Sequence, residues 1–579
     1  MSTDLGFSIY YLKINWVGWI KQDSPHFAPP SDIPYKALTC SIFHSAQVLA
    51  WTVWDRQNQA MNMNPTYYPV EAMTPFAVSL LWQINREYYQ HAGIEAWTSG
   101  LVPHHLTSNA MVGKTYASLI LGLLTDLALE GKNKEKVYII ELGAGHGRLG
   151  FYILQELEIM AEQSAIELPP YCFVLSDIVQ KNLAFFNDHE NFQCYFQKGQ
   201  LDLAYLDAMV DEDIVLEKSG VVLSKGKLGQ PVVVIANYFF DSIPQHLFYL
   251  RQGTIASCQV ALEADVPVNG AETGTLLPHL RLRYDTRPAA LPYFNEHITD
   301  QVLSGYVQTM QETCLLFPLA GMSCLTRMRQ LSTAGAMVLT MDKGNHLASL
   351  LDHRPMPDYV THGSFSLNVN YHALAQYTQL TGGTALFPEA SNFNLELGCL
   401  LWLDDRNDWK STLAAYTRFV DDYGPDDFFS LTRMVYPLAD KLTLRDTIAL
   451  LRLSGYDSVF FINLLPWFKQ QVKQVTYPER SRISETLLKV WKRYFHLNDN
   501  LDLAFEMAGI FYDLGYYDQS LQFFGHSEKR YGPSEDGRYN TALCLYQLKR
   551  DEELIHLIDT TLIEYPHYHR MEELKRLEL

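Results

Sequence analysis

Between Val137 and Leu157 the chain reads VYIIELGAGHGRLGFYILQEL. An apolar run closes on Glu141, three glycines follow at alternate positions (Gly143, Gly145 and Gly147), and a helix-like pattern begins. Glycine allows a tight turn and lets another molecule lie against bare backbone. The first N–H groups of a helix face whatever lies there. These residues suit a bound small molecule, and two frames fit them. Gly145, Gly147 and Gly150 match the G-x-G-x-x-G of dinucleotide sites, but the strand ends at Leu142, so that frame starts three residues late. E-x-G-x-G-x-G fits without slippage. About 30 residues further on, YCFVLSD ends in Asp177, at the strand tip where a ribose is held by its two hydroxyls. The run PVVVIANYFFDSIP then brings Asn237 to the carboxyl end of the sheet, with Asp241 after it and Pro244 to turn the chain. Glu141 and Asp177 also have a plainer use, as caps of the helices that follow them. No Ser–His–Asp pattern occurs, and no metal set is expected, since His104 and His105 are adjacent and cannot easily share one site.

The elements that must position these residues are legible around them. TPFAVSLLWQINREYYQHAG and MVGKTYASLILGLLTDLALEG space their apolar residues as helices do. The strands at Val137–Leu142, YCFVLSDIV, PVVVIANYFFDSIP and GAMVLTMDKG are near-continuous apolar runs. They alternate with helices, the last of which, NYHALAQYTQLTGG, ends in glycine. That pattern predicts a parallel sheet covered on both faces, an α/β doubly wound domain over residues 73–400. GQLDLAYLDA offers a further strand with Asp202 and Leu203. Residues 1–72 carry many aromatics, a loop-like PHFAPPSDIP and one helical candidate, Leu38–Trp54; they read as a lid or packing extension of no assigned function.

Beyond Trp402 the β signal stops. NDWKSTLAAYTRFVDDYG, RDTIALLRLSGYDSVFFINLLPWF and ERSRISETLLKVWKRYF all have helical periodicity. Two later segments align at a constant offset of 34 residues: Ala508, Phe511, Gly515, Tyr517, Ser520, Phe524 and Ser527 face Ala542, Leu545, Lys549, Asp551, Leu554, Ile558 and Thr561, and Pro566 closes the second. That period resembles the tetratricopeptide repeat, a helix–turn–helix unit that must stack to bury its face. Ile448, Leu451, Gly455 and Leu464 loosely extend the spacing upstream. Residues 401–579 are therefore expected to be an all-α, tetratricopeptide-like domain that binds a protein substrate or partner; an ordinary helical bundle is the alternative.

Bulk properties narrow the rest. The 579 residues carry a net charge of −20, from 45 Lys and Arg against 65 Asp and Glu. So acidic a surface repels phosphate backbones, which excludes nucleic acid as an expected partner and favours a basic protein segment. The eight cysteines include no C-x-x-C pair, which points away from zinc and disulfides and towards a reducing, cytoplasmic setting. No membrane span and no signal peptide are expected, and the oligomeric state is open.

The E-x-G-x-G-x-G frame looks like the first motif of class I S-adenosyl-L-methionine (SAM)-dependent methyltransferases, whose fold is Rossmann-like. The order of the pieces resembles the MidA family of these enzymes, which includes the mitochondrial complex I assembly arginine methyltransferase. LTSNAMVGKTYASLIL stands where that family has T-x-P-E or similar, ELGAGHG stands for its E-L-G-x-G-x-G, and NYFFDSIP for its N-E-hydrophobic-hydrophobic-D-A-hydrophobic-P. MDKG, with Asp342, stands for a strand ending in D-Y-G, and SLNVNYHALA for a segment of the form H-V-(N/D)-(F/Y)-x-A-L-A. The resemblance implies SAM as cofactor, its methionine part over Gly143–Gly147, its amino group met by Glu141, its ribose by Asp177 and its adenine by Asp202 and Leu203. It implies methyl transfer with Asn237, Asp241 and Asp342 placing the acceptor. The chain departs from the family at Tyr238, where Glu is usual, and at Lys343, where Tyr is usual. The expected function is SAM-dependent methylation of a protein side chain, possibly arginine. The alternatives are a SAM-binding or inactive scaffold whose tail does the work, and a small-molecule methyltransferase.

Overall fold

The computed structural model of the protein describes residues 66–579, except 100–101, 103–104, 269–272, 358–359, 363, 391, 393, 404–408, 498–500 and 579. Of the described residues, 67–579 form one compact unit. The helix expected over Leu38–Trp54, and nearly all of the N-terminal extension, lie outside the described residues.

Seven strands make the central sheet: β1 (Val137–Glu141), β2 (Tyr171–Asp177), β3 (Leu201–Tyr205), β4 (Val232–Asn237), β5 (Ala336–Asp342), β6 (Thr384–Leu386) and β7 (Glu396–Trp402). Their spatial order is β3-β2-β1-β4-β5-β7-β6. The first five pair in parallel, and β7 runs antiparallel between β5 and β6. The order reverses between β1 and β4, the switch point at which open α/β sheets bind ligands. The strands are mostly apolar because both faces are covered. In β1, Val137 and Ile139 enter one core and Ile140 the other; β4 divides Val233 and Ile235 from Val232, Val234 and Ala236 in the same way. A side-chain period of two produces that division.

Helices α1 (Leu80–Ala92) and α2 (Glu95–Thr98) precede α3 (Ala110–Leu129), and α4 (Arg148–Glu162) and α5 (Gln180–Asp188) follow β1 and β2. Residues of α3, α4 and α5 fill the first core; α6 (His297–Thr309), α7 (Leu319–Gln330) and α8 (Tyr371–Leu380) fill the second. By length and composition α3 could cross a membrane, but most of it is buried against the sheet, as a helix apolar all round must be. The fold is the doubly wound, Rossmann-like α/β arrangement expected.

A second, antiparallel sheet escaped the sequence reading. It consists of Tyr68–Pro75, His246–Arg251, Thr254–Ala264, Leu280–Pro288 and Glu312–Phe317. These strands are only partly buried: Glu312–Phe317 buries Thr313, Leu315 and Phe317 alternately, and Tyr68–Pro75 buries none; partial burial is a weaker signal than an unbroken apolar run. Tyr68–Pro75 pairs with Thr254–Ala264, so the compact unit starts before residue 73.

After β7 every described element is helical: α9 (Lys410–Tyr416), α10 (Pro425–Val435), α11 (Leu444–Leu453), α12 (Ser458–Val472), α13 (Tyr477–Lys492), α14 (Leu503–Asp513), α15 (Tyr517–Tyr531), α16 (Glu535–Gln547), α17 (Asp551–Glu564) and α18 (His569–Glu578), with short irregular helical turns after α9 and α10. The segments that align at an offset of 34 are the pairs α14–α15 and α16–α17, and Ala508 and Ala542, like Ser520 and Leu554, are fully buried at equivalent places. The tail does not hang from a linker. Trp409, Tyr416, Val420, Phe429, Phe495 and Leu497 share a core with β1 and α4. Asp126 of α3 accepts from the backbone N–H of Ser411 and Thr412, both at 2.9 Å. Past α13, the carbonyls of Tyr494 and His496 accept from Asn191 and His189 at 3.0 Å, and Arg493 pairs with Glu156.

Candidate functional site

At the carboxyl ends of β1, β2 and β4 lies a cavity of about 440 Å³ whose wall runs from Glu141, Gly143 and Asp177 to Asn237, Tyr238, Asp241 and Lys343. Gly143, Gly145 and Gly147 all have positive φ, +60°, +61° and +75°, the left-handed region that a side chain disfavours. They differ in what surrounds them. A Cβ on Gly143 would meet nothing closer than Phe239 at 3.8 Å, so this backbone is open; one on Gly145 would fall 2.8 Å from the Trp97 indole, and one on Gly147 3.0 Å from Phe186. Gly147 does not line the cavity, which corrects its place under a ligand: it lets α4 start against Phe186 and Phe192. Gly150, the third glycine of the dinucleotide frame, is a packing residue, since its Cβ would lie 2.7 Å from Leu175 and 2.9 Å from Glu141 Oε2.

Glu141 ends β1 and is buried. Its Oε2 has no hydrogen-bond partner among the described residues. Burial first, then the charge of Asp177, pushes its carboxyl up to about 8, with the Gly150 N–H pulling the other way. Asp177 is as deep, yet well supplied. It accepts from the backbone N–H of Gly145 and Val179, each at 2.9 Å, and from Asn182 Nδ2 at 3.2 Å. These bonds tie the glycine turn to the start of α5, and burial outweighs them to raise the carboxyl to about 6. The Ile178 N–H bonds the same carboxyl, so about four acceptor positions are already served. The open backbone at Gly143 and the orphaned oxygen of Glu141 fit a ligand with an ammonium group, and Asp177 lines the same cavity.

At the other end, Asn237 is held from two sides: Oδ1 accepts from Tyr116 Oη at 2.5 Å, and Nδ2 donates to the Thr107 carbonyl at 3.2 Å. Tyr238 follows with φ +47°, a strained conformation for a bulky residue. Asp241 turns its side chain to the cavity, with Oδ1 unpartnered among the described residues, and its N–H donates to Asp342 Oδ2 at 3.2 Å. The two carboxyl groups share a hydrogen bond. Burial raises both, Asp241's charge raises Asp342 further, and Lys343 opposes the rise at Asp241. Two carboxylates so placed cannot both ionise readily, so the pair retains a proton. Asp342 itself does not line the cavity; it backs Asp241, a correction to its expected place at the acceptor.

Asp202 and Leu203 are also corrected. Asp202 accepts from the backbone N–H of Lys218 at 2.8 Å and Ser219 at 3.0 Å, and neither residue reaches the cavity. The chain reaches it at Asp207 and Met209, past the carboxyl end of β3; Asp207 pairs with Arg86 of α1 at 2.6 Å. Sequence reasoning missed Arg86, Tyr89, Trp97, His146 and Ser364. Trp97 stacks on Tyr89 and meets His146 edge-on, and Tyr89 donates to Ser364 Oγ. Thr107 and Ser108 also line the cavity, and they had a signal: both fall in the LTSNAMVG segment. Among the described residues no group of three or more His, Cys, Asp or Glu could hold a metal ion.

Residues 121–357 match the family model described as "Putative S-adenosyl-L-methionine-dependent methyltransferase". On that match the sheet domain is a SAM-dependent methyltransferase domain, and SAM is its cofactor. No curated protein matches the chain. Among solved structures, an uncharacterised protein from Burkholderia thailandensis is 12% identical over 66% of this chain and 97% of its own, with a TM-score of 0.36. A second member of its superfamily from that organism, bound to S-adenosyl-homocysteine, is 14% identical over 68% and 98%, with a TM-score of 0.39. The 1,6-didemethyltoxoflavin-N1-methyltransferase of the same organism is 11% identical over 59% and 98%, with a TM-score of 0.25.

Proposed function

We propose that this chain is a MidA-like protein methyltransferase that modifies a nitrogen on a basic side chain, arginine first among them, with a tetratricopeptide-like tail that engages the protein partner. One observation carries the reading: a single cavity joins the open glycine turn to a buried carboxyl pair with an oxygen to spare. Bound SAM supplies a methyl group on a sulfonium, open to in-line attack by a nitrogen. The chain's own residues then bind, align and take a proton. Glu141 and Asp177 hold the cofactor's amino group and ribose. Asp241, with Asp342 behind it, keeps negative charge at the acceptor end and orients a cationic group there. Its free Oδ1 is placed to receive the proton that the nitrogen gives up. Trp82, Tyr89, Tyr238 and Phe365 line the cavity, and aromatic faces favour a cation and exclude water.

Calorimetry with SAM, followed by transfer of labelled methyl groups to lysate proteins, tests the proposal. Asp241→Asn should remove transfer and leave SAM affinity within about threefold, since that residue grips the acceptor. Transfer at the wild-type rate by Asp241→Asn would overturn it. Tyr238 and Lys343, both in the cavity wall, favour a second reading, the scaffold. Tyr238→Glu separates the two: a loss of activity on the native target marks a changed substrate, whereas a wild type that binds SAM and methylates no lysate protein marks a scaffold.

A further inference from the structure

We infer that Asp457, in the helical tail, is a positioning residue of the transfer site: by pinning the loop 105–109 it fixes the support on which Asn237 and the glycine turn rest. The inference builds on the reading of the cavity given above.

Asp457 is 1% exposed and caps α12, accepting from the Phe460 N–H at 2.9 Å. The same carboxylate reaches out of the tail. Its Oδ1 accepts from His105 Nε2 and its Oδ2 from the N–H of Ala110, both at 3.1 Å. Ala110 opens α3, so one negative charge serves two helix N-termini, each of which attracts it. Burial works to raise this carboxyl, but the charge and hydrogen bond of His105, with the N–H groups of Phe460 and Ala110, hold it down at about 2. It is therefore a carboxylate at any pH at which the protein would be assayed.

The two contacts bracket one short loop. Within it, Asn109 donates to the carbonyls of His105 and Leu106 and accepts from the N–H groups of Met111 and Val112, which makes the loop one folded piece. That piece carries the site. The Thr107 carbonyl accepts from Asn237 at 3.2 Å. His146, in the glycine turn, accepts from the Arg148 N–H on Nδ1, so its Nε2 hydrogen points to Ser108 Oγ, 3.3 Å away. Residues 458–472 contribute nothing to the cavity wall; Asp457 acts only through the loop.

Asp457→Asn is the sharp variant. Asparagine is as good an N-cap as aspartate, so α12 is retained, but its NH2 replaces an oxygen and leaves either the Ala110 N–H or the His105 donor without an acceptor. Thr443→Ala is the control: Thr443 caps α11 by accepting from the Asp446 N–H and touches no part of the loop. Hydrogen–deuterium exchange over residues 105–112 and SAM affinity by calorimetry are read for both. Asp457→Asn should speed exchange in the loop about tenfold and weaken SAM about fivefold or more, while Thr443→Ala does neither. Unchanged exchange in Asp457→Asn, faster exchange with unchanged SAM affinity, or a Thr443→Ala variant that matches it on both counts would overturn the inference. A wild type that binds no SAM would instead overturn the reading of the cavity, and the exchange comparison would still test the loop.

Discussion

Gly145→Ala probes the turn at its tightest point, and its effect has two separable parts. At φ +61° a residue with a Cβ costs about 1–2 kcal/mol more than glycine. The added carbon would also fall 2.8 Å from Cζ2 and 3.2 Å from Cη2 of Trp97. That ring cannot simply swing aside, because it stacks on Tyr89 at 5.9 Å and abuts His146 at 5.7 Å. Overpacking of that kind adds about 1–3 kcal/mol. If SAM binds only the native turn, the sum of about 2–5 kcal/mol weakens binding by roughly 30-fold or more. In a Trp97→Ala background the clash is gone and only the backbone part stays, a loss of about 5- to 30-fold. Calorimetric affinities for the four proteins of this double-mutant cycle should give a coupling of about 1–3 kcal/mol. Equal losses with and without Trp97 would refute the claim that this glycine is needed to clear the indole.

Three further predictions concern Glu141 and the tail. Glu141 has its carboxyl raised from 4.5 to about 8, so the folded chain keeps a proton that the unfolded chain releases. The stability this group contributes is full below pH 4.5 and is lost as pH rises through 8. Glu141→Gln should therefore raise the melting temperature more at pH 9 than at pH 6 while weakening SAM; an equal shift at both pH values would show that the carboxyl is not raised. A chain ending at residue 531 should keep SAM affinity within about threefold, because stacked helices act mainly on their neighbours. One ending at residue 403 should not fold, since it loses Trp409, Phe429, Phe495 and Leu497 from the core of the sheet; a cooperative melt from that fragment would refute it.

The sequence made the parallel strands plain because β1, β2, β4 and β5 are buried on both faces and so read as near-continuous apolar runs. The glycine turn was plain because three positive φ values at alternate positions leave little choice of residue. Asp202 misled because a strand residue reaches the site only near the strand's carboxyl end. Asp202 is the second residue of β3, and the chain arrives at the cavity with Asp207. Asp342 misled for the opposite reason, because it ends its strand but sits behind Asp241. Trp97, Arg86 and Ser364 carry no local pattern. They meet the site through contacts between distant parts of the chain, such as Tyr89 with Ser364, 275 residues apart, which no spacing rule records.

The tail clasps α3 at both ends, through Asp457 at Ala110 and through Asp126 at Ser411 and Thr412, and this has a consequence in time. Asp457 lies 347 residues beyond Ala110. At about 5–20 residues per second, a ribosome needs roughly 20–70 s to travel from one to the other. Until then α3 lacks the Asp457 end of its clasp, and the loop under the glycine turn is without its pin. The nascent chain therefore has its cofactor-binding strands early and a finished pocket late. Those contacts of α3 that come from the tail are the last of its contacts to be made.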